Sequence, residues 1–149
     1  MFCFVSVVLG ISQQPIISFT GGALQLAGGS PVASLFLSSA DFPGVIRAGQ
    51  DLSTDFGRVT GKNITVLTKD QTSTDQSPSS GPVIIAGTIG KSTPIDSLVS
   101  TGKIDISSIN GQWEAFQTQI VANPMARLAS ALVIAGSDKR GTIYGIYDI

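Results

Sequence analysis

Pro82-Val83-Ile84-Ile85-Ala86-Gly87-Thr88-Ile89-Gly90-Lys91-Ser92-Thr93-Pro94-Ile95-Asp96-Ser97-Leu98-Val99 sets the fold class. The apolar run Pro82 to Ala86 has the look of a strand buried on both faces. Gly87 to Lys91 makes the turn, Ser92 or Thr93 supplies a cap, and Pro94 stands in the first turn of a short helix carrying Ile95, Leu98 and Val99 as far as Gly102. A buried strand that feeds a helix through a glycine turn is the repeating unit of an α/β layer structure.

The unit recurs on both sides. Upstream, Val32 to Leu37 reads as a strand, and Asp41 caps a helix with Pro43 in its first turn. Val45, Ala48, Leu52, Phe56 and Val59 recur on one face of that helix, and Gly61 ends it. Ile64 to Thr68 is β-branched and alternating, hence a strand, and Lys69 to Gly81 is polar and makes a surface loop. Gln13 to Pro31, with short apolar runs at Ile16 to Phe19 and Leu24 to Leu26, suggests an edge hairpin or an extended lead-in. Downstream, Trp113 to Val121 alternates large and polar side chains as a half-exposed strand does. Ala131 to Ala135 is a buried strand opening through Gly136-Ser137-Asp138 into a terminal helix with Ile143, Ile146, Tyr147 and Ile149 at helical spacing. About five strands and three helices result, with no internal repeat. The expected fold is α/β, a small mixed sheet with helices packed on it.

Composition narrows the chemistry. The 149 residues are 42% hydrophobic and 13% charged, enough for one domain with its own core. Nine basic against ten acidic side chains give no basic stripe for nucleic acid, and no membrane-surface helix is evident. With no histidine and one cysteine, the chain cannot build a Ser-His-Asp triad, a Cys-His pair or a four-ligand zinc site, so no metal or cofactor is expected.

No charged residue precedes Asp41, and Met1 to Ile11 is almost wholly apolar, too short to span a bilayer. Residues 1–12 fit the apolar region of a secretory signal, with Gly10 and Ser12 ahead of a cut before Gln13, although the positive flank is missing. An apolar N-terminal strand is the competing reading. Secretion would make Asn63-Ile64-Thr65 a glycosylation acceptor. Residues 13–149 are then the α/β domain, and since the terminal helix carries no stop signal before Ile149, the chain is expected to be part of something longer.

Three clusters invite chemistry. Gly87-Thr88-Ile89-Gly90-Lys91-Ser92 has the parts of a phosphate loop, but its glycines are too close and Ile85 stands where the first should be; a tight β-to-α turn accounts for it. Glu114, the only glutamate, pairs by spacing with none of the aspartates, and Asp51 and Asp55 fall on the solvent face of the first helix. Trp113 beside Glu114 could meet a sugar, although a strand tryptophan more often packs in a core. Asp138-Lys139-Arg140 is the densest polar turn and follows a strand entering a helix, where α/β sheets place binding sites. Asp138 can cap the helix, whereas Lys139 and Arg140 oppose its macrodipole and call for a carboxylate partner across a domain boundary or an anionic ligand. Gly141 and Gly145, four apart, let that helix approach a neighbouring backbone.

Ala131-Leu132-Val133-Ile134-Ala135-Gly136-Ser137-Asp138-Lys139-Arg140-Gly141-Thr142-Ile143-Tyr144-Gly145-Ile146-Tyr147-Asp148 resembles the segment closing the N-terminal domain of glycoside hydrolase family 115, the xylan α-1,2-glucuronidases. Asp41 to Ala48 with Asp55 to Gly61, and Val83 to Ser92 with Trp113-Glu114-Ala115-Phe116, agree with the same family. The resemblance implies a secreted, extracellular enzyme that removes glucuronic or 4-O-methylglucuronic acid from glucuronoxylan by inverting hydrolysis. It implies an N-terminal accessory α/β domain ahead of a (β/α)8 barrel that carries the catalytic carboxylates. That barrel is absent from this chain, so no catalytic residue is assigned and the domain alone is expected to be inactive. Asp138, Lys139 and Arg140 become candidates for docking on the barrel or reaching its substrate, a basic pair suiting a uronate carboxylate. A non-catalytic carbohydrate-binding or scaffolding module is the alternative.

Overall fold

The computed structural model describes residues 24–27, 29, 31–68 and 81–149, together with the backbone of Val7–Val8. Among the described residues six strands form one sheet: β1 (Val7–Val8), β2 (Ser34–Leu37), β3 (Thr65–Thr68), β4 (Val83–Thr88), β5 (Phe116–Ala122) and β6 (Ser130–Gly136). Three helices accompany them, α1 (Pro43–Thr60), α2 (Thr93–Ser100) and α3 (Lys139–Tyr147). The spatial order is β1-β5-β6-β4-β2-β3. The four strands from β6 to β3 are parallel, while β5 runs antiparallel to β6 and to β1. The expected mixed sheet of an α/β protein is therefore present, extended at one edge by the Val7–Val8 pair.

Alternation along each central strand feeds two cores. Leu35, Leu37, Ile84, Ala86, Leu132 and Ile134 face α1 and α3, meeting Val45, Ala48, Leu52 and Ile146. Phe36, Val83, Ile85, Ala131, Val133 and Ala135 face the other way, onto Ile95 and Leu98 of α2 and onto Ile104 and Ile109 of the segment that follows it. From β2 the chain crosses through α1 to β3 on one side; from β4 it crosses past α2 to β6 on the other. Crossovers of one hand made in opposite directions place their helices on opposite faces, hence the three layers.

Several expectations need correction at residue level. Asp41 is not the cap of α1: Phe42 occupies that position without a side-chain bond, and the buried Asp41 turns inward. Gly61 closes α1 at φ 77, as its position suggested, but Val59 is 71% exposed and not on the buried stripe. Ser92 caps α2 by position only, because its hydroxyl is buried against Gly87 without a hydrogen-bond partner. Trp113 and Glu114 precede β5 in a turn and are not part of it. Helix α3 closes at Tyr147 with Asp148 as its cap residue, and Tyr147 is exposed while Ile149 packs on the α1/α3 core. The proposed loop lies outside the described residues from 69 to 80. So do the signal, apart from the Val7–Val8 backbone, and the lead-in before Leu24. Leu24 and Leu26 belong to no strand and pack on the α1/α3 core.

Candidate functional site

The carboxyl ends of β2, β4 and β6 and the amino end of β5 lie at one edge of the sheet, because Phe116 pairs with Gly136 across the antiparallel step. In open α/β sheets ligands enter between the two strands from which the chain departs in opposite directions, here β2 and β4. In this chain that crevice holds Asp41. Its Oδ2 accepts the Thr88 amide at 2.7 Å and its Oδ1 accepts the Phe42 amide at 2.7 Å. Above it, the Lys91 ammonium stands 5.6 Å from the Phe42 ring centroid. Thr142 donates its hydroxyl to the Asp138 carbonyl at 2.9 Å, so the Thr88 hydroxyl is the donor in the buried 2.8 Å contact between the two threonines. The crevice is filled by the protein's own polar groups.

One strand further along, the edge is open. Asp138 caps α3: its Oδ1 accepts the Gly141 amide at 2.8 Å, and its Oδ2 accepts the Glu114 amide at 3.0 Å. Partial burial pushes the Asp138 carboxyl up, but the amides of Gly141, Glu114 and Arg140 and the Arg140 charge outweigh it and hold the group below its ordinary range. Ser137 ties the same turn to β5, accepting the Ala115 amide at 3.0 Å and donating to the Ala115 carbonyl at 2.9 Å. Glu114, held by these contacts at φ 54, keeps a half-buried side chain beside α3. There Glu114 Oε1 accepts from Arg140 at 2.5 Å and from the Trp113 indole N–H at 2.7 Å. Trp113 is 81% exposed.

The sequence placed Asp138, Lys139 and Arg140 in one turn, and the structure keeps them there. The carboxylate that Arg140 needs comes from Glu114 of the same domain, and Lys139 stays exposed without an ion pair among the described residues. Asn63 sits apart, exposed between α1 and β3 at the amino end of the parallel strands. Also at that end is a cleft of about 180 Å³ lined by Ala27, Gly29, Val32, Phe56, Thr60 and Lys62. The role of Glu114 had no local signal, because only strand pairing brings it to residues more than twenty positions later. No group of three potential metal ligands occurs among the described residues, and no helix among them is long and apolar enough to cross a membrane.

No protein-family model matches the chain, and no curated protein matches it. The chain is similar to a solved family GH115 4-O-methyl-α-glucuronidase with specificity for decorated arabinogalactans. The two share 28% identity over 83% of this chain with a TM-score of 0.52. The chain spans only 13% of that enzyme's length, so the likeness is to a small part of a glycoside hydrolase.

Proposed function

We propose that this chain is the N-terminal α/β domain of a secreted glycoside hydrolase that removes 4-O-methylglucuronic or glucuronic acid side groups from a decorated plant polysaccharide such as glucuronoxylan. The observation that carries the reading is the 28% identity extending over 83% of this chain to one part of a glucuronidase. Inverting hydrolysis would fall to carboxylates outside these 149 residues, on a barrel domain. On this reading Asp138 and the exposed Lys139 and Arg140 are the candidates for docking on that barrel or reaching its substrate.

The test is to read the source transcript through and beyond the codon for Ile149 and to express the whole open frame. Release of uronic acid from glucuronoxylan or decorated arabinogalactan by the long protein, and none by the 149-residue chain, is the expected result. A stop codon directly after Ile149, or a long protein without that activity, overturns the reading. A carbohydrate-binding or scaffolding role without catalysis is the second reading, favoured by the solvent-exposed Trp113. Retention of the 149-residue chain on insoluble xylan would support it.

A further inference from the structure

We propose that Trp113, Glu114 and Arg140 form a stacking ledge for a neutral pyranose of a polysaccharide backbone. An indole left in water forfeits the burial that makes tryptophan worth having in a fold, and at 81% exposure Trp113 contributes nothing to either core. It is nevertheless oriented. Its N–H is satisfied by Glu114 Oε1, which restrains the ring by its polar edge and leaves the faces without a polar demand of their own. Glu114 is itself fixed from behind, its amide held by Asp138 and its carboxylate by Arg140.

The resulting surface offers an aromatic face, a second carboxylate oxygen that takes no part in these bonds, and the remaining guanidinium donors, side by side. The C–H face of a pyranose is apolar and slightly electropositive, matching the negative face of an indole. The hydroxyls at the ring edge are donors and acceptors that a carboxylate and a guanidinium satisfy together. Charge decides between a neutral and an acidic sugar. Arg140 already has its carboxylate in Glu114, and Asp138 is ionised close by, so a uronate would have to displace one anion beside another. A neutral ring meets no such opposition. This ligand differs from the uronate that the sequence suggests for Arg140, and the proposal rests on the carbohydrate-directed reading above but not on the chain's having catalytic partners.

Trp113 is the only tryptophan, so intrinsic emission excited beyond the tyrosine band reports on the ledge alone. Titration of the 149-residue chain with xylohexaose is expected to give a saturable change in emission, with 4-O-methylglucuronic acid giving a weaker one. Arg140→Gln is expected to weaken xylohexaose binding about tenfold, the value of one charge-assisted hydrogen bond. By calorimetry Trp113→Ala should lose binding while Trp113→Phe keeps most of it; both sites are exposed, so these variants should fold. No saturable response to xylohexaose, or tighter binding of the uronic acid, overturns the proposal. So does an iodide-quenchable emission of the extended protein that Trp113→Phe leaves unchanged, which would mark a ledge covered by another domain. Failure of the ledge with glucuronidase activity intact removes this inference and leaves the proposed function standing; sugar binding without any hydrolase frame does the reverse.

Discussion

The Thr88 amide donates to Asp41 Oδ2 at 2.7 Å, bridging the carboxyl ends of β2 and β4 across a gap of 47 residues in the chain. Because Asp41 is 4% exposed and both its oxygens accept backbone N–H groups, the bond closes the crevice where sheets of this topology usually admit ligands. Asp41→Ala strands two amides and is expected to lower the unfolding free energy by about 2–4 kcal/mol in urea titrations. Asp41→Asn keeps one acceptor oxygen and should cost less. A loss below about 0.5 kcal/mol for the alanine variant would mean water replaces the carboxylate freely and the crevice is not closed.

Gly141 and Gly145 of α3 are required for different reasons. A Cβ at Gly141 would lie 2.2 Å from the Ala115 carbonyl oxygen, which is backbone of the β5 lead-in and cannot swing aside. A Cβ at Gly145 would lie 2.6 Å from Ile134 Cγ2 and 2.9 Å from the Phe116 ring, which can rotate at a cost. Gly141→Ala should therefore be the worse of the two, by about 1 kcal/mol or more, with losses of about 1–3 kcal/mol set against the helix propensity gained. Thermal melts of the pair check the ranking, and equal melting temperatures would refute it.

How much of this was legible depended on how local each cause is. The approach of Gly141 to a neighbouring backbone, the Gly61 stop and the Ala131–Ala135 strand are written within a few residues and stand as read, whereas Gly145 faces the side chains of Ile134 and Phe116 and no backbone. Asp41 stands two positions before a helical proline and so satisfies the rule for a cap, and nothing nearby says that its acceptor duty lies in β4. Alternation from Trp113 predicts a strand, yet the strand begins at Phe116; the positive φ of Glu114 breaks the pattern, and a non-glycine residue does not advertise that conformation. The carboxylate partner of Arg140 could be demanded from the macrodipole but not named, since the β5–β6 register alone supplies it.

Asp138 links acid titration to the site. Its carboxyl lies below the ordinary value of 3.8 in the folded chain, so the unfolded chain takes up a proton first as pH falls. Its contribution is full above about that value and is lost as pH falls through the lower folded value. Asp138→Asn still caps α3 but carries no charge at the helix start, and should melt below the wild type at pH 7 by an amount worth about 0.5–1 kcal/mol. The two curves should converge under strong acid. A constant gap across the range would show that the charge is irrelevant.

Asp148 behaves in the opposite sense. At the end of α3 its Oδ2 is buried without a hydrogen-bond partner, and desolvation raises its carboxyl above the ordinary value of 3.8. The folded chain therefore holds the proton more tightly than the unfolded one. Stability from this group is greatest below about 3.8 and declines as pH rises through the raised folded value, after which the ionised group remains a burden. The negative end of the α3 macrodipole adds to it. Asp148→Asn removes the charge and offers N–H donors to the last-turn carbonyls, so at pH 7 it should raise the melting temperature by an amount worth about 0.3–1 kcal/mol. At pH 3 the gain should shrink towards zero, because the wild-type side chain is then already neutral. Differential scanning calorimetry at the two pH values decides the matter. No gain at pH 7, or the same gain at both, would place the cost of Asp148 in its shape and not in its charge.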